Sequence, residues 1–194
     1  GRQEAQNLID TVQTQNPKVI EEVLGPERLS LGDVVKVLQN LLAEKVSIRD
    51  LLTVFETLAD HARTIKNPDV LTRYVRKSLG RGIIRKYLTP DEKLVVVTLD
   101  RAVEDILVAG LQTREDGSTS LQLEPSTAQK ILGSIAETVD RFQQTGTQPL
   151  VLCGSLIRWD FKQLLARFIP GLVVIAFDEI PKGTNTDNIG VVTI

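Results

Sequence analysis

The sequence predicts a mixed α+β fold, in which an all-α helical subdomain at residues 1–88 is followed by a small α/β subdomain at residues 89–194. Two observations support this division. Apolar residues recur at helical spacing through residues 1–88, whereas short β-branched runs alternate with helical patterns after Thr89-Pro90. Hydrophobic residues make up 42% and charged residues 25% of the chain, the balance of an ordinary globular protein.

The helical subdomain is organised around Leu29–Ala62, which predicts two consecutive amphipathic helices. Ser30 is a good N-cap, and Asp33 three residues later completes a capping-box pattern. The pattern repeats with Ser47 as the cap and Asp50 three residues later. Neither apolar stripe can be buried alone, so we expect the helices to pack together and against further helices. The predicted stripes are Val34, Val35, Leu38, Leu41 and Leu42 in the first helix, and Leu51, Leu52, Val54, Phe55, Leu58 and Ala59 in the second.

Three further helices flank this pair. Gln3–Gln15 reads as a helix, and Asn16-Pro17 ends it and opens a short helix. Asn67-Pro68 combines a capping side chain with a proline, which is typical of a helix start. We expect this last helix to continue to Ile84. Its predicted inner residues are Val70, Leu71, Tyr74, Val75, Leu79, Ile83 and Ile84.

The α/β subdomain is predicted from strands that alternate with helices. A strand, a helix and a second strand within about 30 residues form a right-handed crossover with parallel pairing, so we expect a mixed, partly parallel sheet covered by helices. Asp116-Gly117 predicts a turn, and Ser155 a helix cap. The predicted strands are Lys93–Leu99, a half-buried segment with Leu121 and Leu123, Leu150–Cys153, Leu172–Phe177 and Asn188–Ile194. The predicted helices are Asp100–Leu111, a long helix that begins at Glu124-Pro125, and a helix with Ile157, Phe161, Leu164, Leu165 and Phe168 inward.

Composition excludes several kinds of site. A net charge of −2 at pH 7 provides no general basic field, so we expect no nucleic-acid partner. Cys153 is the only cysteine and His61 the only histidine, so we predict no metal site and no cofactor. No apolar run approaches the roughly 18 residues that a membrane helix needs. The first residues already run into a helix pattern and there is no initiator methionine, so we expect the chain to be cut from a longer protein.

Cys153-Gly154-Ser155 is the strongest candidate for a catalytic site. It lies where a predicted strand gives way to a helix, and a thiol near a helix N-terminus can become nucleophilic. No base lies nearby in the sequence, so we interpret Cys153 as a buried structural residue and predict no catalytic residue. The acidic residues at the start of the helix after the first strand are interpreted as carboxylates stabilised by the helix dipole, namely Asp100, Glu104 and Asp105.

A basic stripe is the candidate protein-contact face. Arg73, Lys77 and Arg81 are spaced at i, i+4 and i+8 on the predicted helix, with Arg76 nearby. A charge run of this kind is often a solvated face. The alternative is a contact surface for an acidic protein partner or for another copy of the chain. Nucleic acid is disfavoured, because Tyr74 is almost the only aromatic neighbour.

The segment LSLGDVVKVLQNLLAEKVSIRDLLTVFETLADHA resembles the cytoplasmic domain of the export-gate proteins of type III secretion, the flagellar FlhA family and its injectisome relatives. The similarity extends through LIDTVQTQNPKVIEEV, KNPDVLTRYVRKSLGRGIIRKY, SLQLEP and QPLVLCGSLIRWDFKQLLARFIPGLVVIAFDEIP, and so covers essentially the whole chain. ETLADHA and the ending IGVV look more flagellar than injectisome.

The resemblance implies that this chain is the last two subdomains of the cytoplasmic part of an integral membrane protein. It would lie on the cytoplasmic side of the bacterial inner membrane. Members of the family assemble into nine-fold homo-oligomeric rings, receive export chaperones with their cargo and contact other export apparatus proteins. Their main chaperone pocket would lie upstream of Gly1. The predicted function is therefore a non-enzymatic docking and assembly platform; the alternative is a small α/β enzyme, perhaps thiol-dependent, with a helical appendage.

Overall fold

A computed structural model describes all residues from Gly1 to Ile194. The chain forms two compact units, and each is described here by itself. The first comprises Gly1–Ile83 with Arg114–Ser118, and the second comprises Ile84–Thr113 with Thr119–Ile194. The division into subdomains at residues 88 and 89 stays a prediction.

The first unit is built from helices, which are α1 (Arg2–Gln15), α2 (Pro17–Val23), α3 (Leu31–Ala43), α4 (Leu51–His61), α5 (Pro68–Ser78) and α6 (Gly80–Arg85), whose last residues belong to the second unit. The capping box at the start of α3 is confirmed. The Asp33 N–H donates to the Ser30 hydroxyl at 3.1 Å, and the Ser30 N–H donates to the Asp33 carboxylate at 2.9 Å. Two free N–H groups of the helix start are thereby satisfied.

The predicted start of α4 is wrong by one turn. Asp50, not Ser47, is the N-cap, and its carboxylate accepts the N–H and the hydroxyl of Thr53. Ser47 instead accepts the Arg49 N–H at 3.3 Å, in the turn before the helix. The apolar stripes also differ from the prediction at two positions, because Leu42 and Leu52 are 53% and 39% exposed.

The helix predicted from Asn67-Pro68 to Ile84 is two helices. It breaks at Leu79, whose φ of −90° and ψ of 5° leave the helical region. Gly80 and Gly82 follow, and glycine is a poor helix former because its backbone loses more entropy on folding. The predicted inner residues Leu71, Val75 and Leu79 are nevertheless buried, whereas Tyr74 is 36% exposed.

The second unit is an α/β layer structure. Its strands are β1 (Lys93–Leu99), β2 (Leu111–Thr113), β3 (Thr119–Leu121), β4 (Leu150–Cys153), β5 (Val173–Ala176) and β6 (Asn185–Val192). Its helices are α7 (Arg101–Ala109), α8 (Pro125–Val139) and α9 (Ser155–Ala166), with 3-10 helices at Asp140–Gln144 and Phe177–Glu179. The sheet has the order β5-β4-β1-β6 and every pair is parallel, while β2 and β3 form a separate antiparallel pair.

The core of this unit lies between one face of the sheet and helices α7, α8 and α9. Val95, Val97 and Leu99 alternate along β1 and pack into this core, as the two-residue period of a strand requires. The principal helical contributors are Val103 and Leu107 from α7, Ile131 and Ile135 from α8, and Ile157, Phe161 and Leu165 from α9. Two predictions at the helix ends are wrong, because Ser155 is the first helical residue rather than the cap and Phe168 is exposed.

Strand β6 begins three residues earlier than predicted. Asn185–Asn188 is polar and exposed, so hydrophobic periodicity gives no signal there. Parallel pairing with Lys93–Val96 nevertheless makes it a strand. The register shifts between Val96 and Val97, which is the mark of a β-bulge. No helix in either unit combines the length and the apolar character needed to cross a membrane.

Candidate protein-contact surface

The basic residues of the candidate face are placed on two helices. Arg73 and Lys77 lie on α5, whereas Arg81 lies on α6, because the helix breaks at Leu79. Arg73 is half-buried, and Lys77 and Arg81 are exposed. None of the three forms a salt bridge within the chain. The prediction of one continuous helix that carries all three residues at i, i+4 and i+8 is therefore wrong. The three basic side chains nevertheless have no ionic partner within the chain.

Arg76 does not belong to this face, and its inclusion is a correction to the sequence-based prediction. Its side chain is only 3% exposed, and its Nη1 lies 3.7 Å from Oε1 of Glu44, which is 11% exposed. A charged group this deeply buried needs a charged or hydrogen-bonding partner, and Glu44 supplies one. Arg76 therefore fixes α5 against the connection between α3 and α4, and only Arg73, Lys77 and Arg81 can meet another molecule.

Two asparagines fix the position and rotation of α5 and thereby determine which of its side chains face outward. Asn67 is the N-cap, and its Oδ1 accepts the N–H groups of Asp69 at 2.9 Å and Val70 at 3.1 Å. Asn40, buried on α3, donates to Asp69 at 2.9 Å and to the hydroxyl of Thr72 at 3.1 Å. A buried polar network of this kind fixes the rotation of one helix against another. The Asn67 cap follows from the sequence, whereas the long-range pair of Asn40 and Thr72 does not.

An aromatic contact borders the basic residues. The rings of His61 and Tyr74 stack with their centroids 4.1 Å apart and an interplanar angle of 29°. His61 is the last residue of α4 and is half-buried, and Tyr74 lies on α5. Stacking joins the end of α4 to the middle of α5. The contact gives the single histidine of the chain a packing role.

Cys153 lies in the interior, at the carboxyl end of β4, as expected for a structural cysteine. The nearest feature of chemical interest is Glu104 on α7, whose Oε1 accepts the N–H of Gly154 at 2.9 Å. Burial raises the pKa of Glu104, the Gly154 N–H opposes that shift, and the negative charge of Asp105 adds to it. Glu104 thus supplies an acceptor at the start of α9, where N–H groups are unsatisfied. The interpretation of Glu104 as a carboxylate of the first turn of α7 missed this second role.

The other sequence candidates form no constellation for chemistry. Asp100 precedes α7 as its N-cap without a side-chain cap bond, and Asp105 is exposed. No three His, Cys, Asp or Glu side chains lie close enough together to hold a metal ion. The features that these residues build are surfaces and helix caps.

Comparison with known proteins shows the family of the chain. The profile of the FHIPEP family matches residues 1–185, and the chain belongs to that family. It is 40% identical over 194 residues to the flagellar biosynthesis protein FlhA of Bacillus subtilis strain 168, a match that covers 100% of this chain and 28% of the relative. The chain thus spans about a quarter of the length of that relative.

Solved structures share the fold. The Chlamydia pneumoniae CdsV protein superimposes with a TM-score of 0.90 at 26% identity, over 100% of this chain and 55% of that one. The same protein has been solved in complex with CdsO, with a TM-score of 0.87 and 28% identity over 100% and 56% of the two chains. The nonameric SctV-C of EPEC gives a TM-score of 0.85 at 28% identity, over 99% and 57%.

These matches confirm the resemblance to the export gate of type III secretion and the α+β fold class. They include both flagellar relatives and structures from injectisome systems. The family is a component of secretion machinery, so the chain is a part of an export-gate protein.

Proposed function

We propose that this chain is a non-enzymatic docking and assembly platform in the export gate of a bacterial flagellum. It acts within a longer integral membrane protein, on the cytoplasmic side of the inner membrane. There it takes part in a homo-oligomeric ring, contacts other export apparatus proteins and helps to receive chaperone–cargo complexes for secretion. We infer that this chain contributes chiefly to assembly.

The observation that supports this proposal most directly is identity at 40% over the full chain to a flagellar FlhA protein. Two structural relatives add to it, since EPEC SctV-C is nonameric and CdsV is bound to CdsO. The higher identity to the flagellar relative, 40% against 28% for SctV-C, supports a flagellar rather than an injectisome gate.

Arg73, Lys77 and Arg81 are the residues that we assign to a contact in the assembled gate. All three are basic, and none has an ionic partner within the chain. Charge complementarity across an interface sets register and excludes wrong partners. We infer that an acidic surface, of a neighbouring copy or of another export component, lies opposite these side chains.

The test is a full-length protein in which Arg73, Lys77 and Arg81 are all replaced by glutamate. Substitutions at the exposed residues Lys77 and Arg81 should each change stability by less than about 0.5 kcal/mol, whereas Arg73 is half-buried, so the amount of folded protein is measured alongside secretion. Secretion of flagellar proteins and ring formation should both fall, because like charges would then face each other across the contact. The measurements are the amount of secreted protein and the fraction of the gate recovered as a ring.

A matched control reverses three basic residues elsewhere on the first unit, namely Lys18, Arg49 and Arg63, which are all exposed. This control changes the net charge by the same amount, so a general charge effect would lower secretion in both proteins. Normal secretion and normal rings in the first variant would return Arg73, Lys77 and Arg81 to a solvated face and contradict the proposed contact.

A second variant separates the platform from a thiol enzyme. Cys153→Ala removes the thiol from a buried position without adding a polar group. Secretion should stay near the wild-type level when the protein level is matched, because a packing residue contributes only to stability. Loss of secretion by a folded and normally abundant variant would support the thiol-dependent enzyme instead.

A further inference from the structure

The side chain of Lys66 occupies a site in the first unit that is built from backbone carbonyl groups. Lys66 lies in the connection between α4 and α5, and its Nζ donates to the carbonyl of Glu27 at 2.5 Å, to that of Arg28 at 3.2 Å and to that of Ala62. A lysine ammonium has three N–H donors and no acceptor, so three carbonyl oxygens satisfy all of its donors. The site therefore matches a primary ammonium group.

The Ala62 carbonyl lies at the negative end of a helix. Ala62 is the C-cap of α4 and is fully buried. The last carbonyls of a helix have no N–H partner within the helix, and the helix dipole places partial negative charge there. Hydrogen bonds from a charged donor are also stronger than those from a neutral one. A cation is thus favoured at this point over a neutral group.

The other two carbonyls belong to the connection between α2 and α3, which is held in a strained conformation. Glu27 has a φ of 62° and Gly25 a φ of 136°. Glycine adopts such angles without a steric penalty, whereas a glutamate does so only when its surroundings impose it. The carbonyls of Glu27 and Arg28 accept no backbone N–H. Lys66 therefore supplies the hydrogen bonds that this part of the connection lacks.

We propose that the carbonyls of Glu27, Arg28 and Ala62 form a binding site for a primary ammonium group, and that Lys66 controls the α2–α3 connection by occupying it. The Lys66 ammonium holds Glu27 in the left-handed region and ties the connection to the end of α4. When the ammonium is withdrawn, Glu27 loses the contact that offsets its backbone strain. The connection then opens while the helices stay folded. This inference does not rest on the proposed function.

Hydrogen exchange of the full-length protein, followed by mass spectrometry of its peptides, tests this control. The Arg28 N–H donates to the Gly25 carbonyl and the Leu29 N–H to the Val23 carbonyl, each at 3.0 Å, so both report on opening of the connection. Lys66→Ala should accelerate their exchange about tenfold, the factor expected for loss of a hydrogen bond from a charged group. Peptides from α5 should exchange at the wild-type rate.

Matched variants separate the ammonium group from the rest of the side chain. Lys36→Ala, at an exposed position on α3, removes a lysine elsewhere and should leave exchange in the connection unchanged. Lys66→Met keeps most of the aliphatic stem and removes the ammonium, so it should exchange as fast as Lys66→Ala. Adding Glu27→Gly to Lys66→Ala removes the backbone strain and should slow the exchange again by about threefold.

Chemical rescue shows whether the site binds an ammonium group. Lys66 is exposed, so a small molecule can reach the three carbonyls once the side chain is removed. Propylammonium should bring the exchange rate of Lys66→Ala to within about twofold of wild type, because it restores the charged donor. Propanol, which has the same length and no charge, should not, and Lys66→Met should not respond because its stem fills the entrance.

The proposal is overturned by any of four results. These are unchanged exchange of the connection in Lys66→Ala and Lys66→Met, an acceleration that spreads equally over all helices of the first unit, a rate in Lys66→Ala that propylammonium does not slow, or one that Glu27→Gly does not slow.

Discussion

At both edges of the parallel sheet, basic side chains donate hydrogen bonds to backbone carbonyls. The surroundings of these side chains differ between the two edges. At the β5 edge, Arg158 on α9 donates to the carbonyl of Val174 at 3.0 Å, and Lys162 donates to the carbonyl of Leu172 at 2.8 Å. At the β6 edge, Arg141 donates to the carbonyl of Ile189 at 3.0 Å. Basic side chains on edge carbonyls prevent the unpaired edge from recruiting a further strand.

The difference between the edges lies in burial. Arg158 is 5% exposed and lies 3.8 Å from the carboxylate of Glu179, which is 3% exposed. Arg141 is exposed, and the first half of β6, Asn185–Asn188, is exposed as well. A hydrogen bond from a buried cation cannot be replaced by water, whereas one from an exposed cation can. Similar contacts at the two edges should therefore differ several-fold in their contribution to stability.

The largest effect is expected from Arg158→Met. Removal of the guanidinium leaves Glu179 as a buried carboxylate without its cationic partner, and breaking such a pair costs about 3–5 kcal/mol. The free energy of unfolding from urea titration measures this loss. The double variant with Glu179→Gln should lose clearly less, because no buried charge remains. A loss below about 1 kcal/mol in the single variant would show that burial does not strengthen the contact at the β5 edge.

The next effect is expected at the β6 edge, from Gly190→Ala. A Cβ at Gly190 would lie 2.8 Å from Cγ2 of Thr138 and 3.0 Å from Nη1 of Arg141. Arg141 is flexible and can move, but Thr138 is buried on α8. Overpacking of this kind costs about 1–3 kcal/mol. The same unfolding measurement applies, and addition of Thr138→Ser, which removes the crowded methyl group, should recover most of the loss.

A smaller effect is expected from Lys162→Met. The variant keeps the aliphatic stem of the half-buried side chain and removes only the ammonium that meets the Leu172 carbonyl. We expect a loss of about 1 kcal/mol, the usual net contribution of one hydrogen bond. Hydrogen exchange at the β5 amides should accelerate in parallel. Unchanged exchange would mean that Lys162 does not protect this edge.

The sequence predicted those features that depend on neighbours along the chain. The Ser30–Asp33 capping box, the Asn67 cap and the buried run of β1 each follow from residues within a few positions. The break at Leu79 was missed because the apolar spacing continues across it, and buried Leu79 and Ile83 fit a helix on either side. The weak signal that could have shown it is the pair of glycines that follows.

The candidate face was predicted only in part, for a different reason. Arg73, Arg76 and Lys77 look alike as letters, but Arg76 lies beside the inner residue Val75 and faces Glu44, which is 32 positions away in the sequence. No pattern among the neighbours of Arg76 in the sequence predicts that Glu44 is its partner. The polar start of β6 was missed likewise, because its strand partner Lys93–Val96 lies 92 positions earlier in the chain.

The smallest effect is expected from Arg141→Met, which is the matched change at the β6 edge. Like Lys162→Met, it removes one donor from one edge carbonyl and keeps most of the apolar stem. Water can reach the Ile189 carbonyl once the guanidinium is gone, because the Arg141 side chain is exposed, so the loss should not exceed about 0.5 kcal/mol. The informative quantity is the difference between the two methionine variants, measured in the same urea titration. A larger loss for Arg141 than for Lys162 would show that exposure does not rank these edge contacts, and that the close packing of Gly190 against Thr138 makes β6 the more sensitive edge.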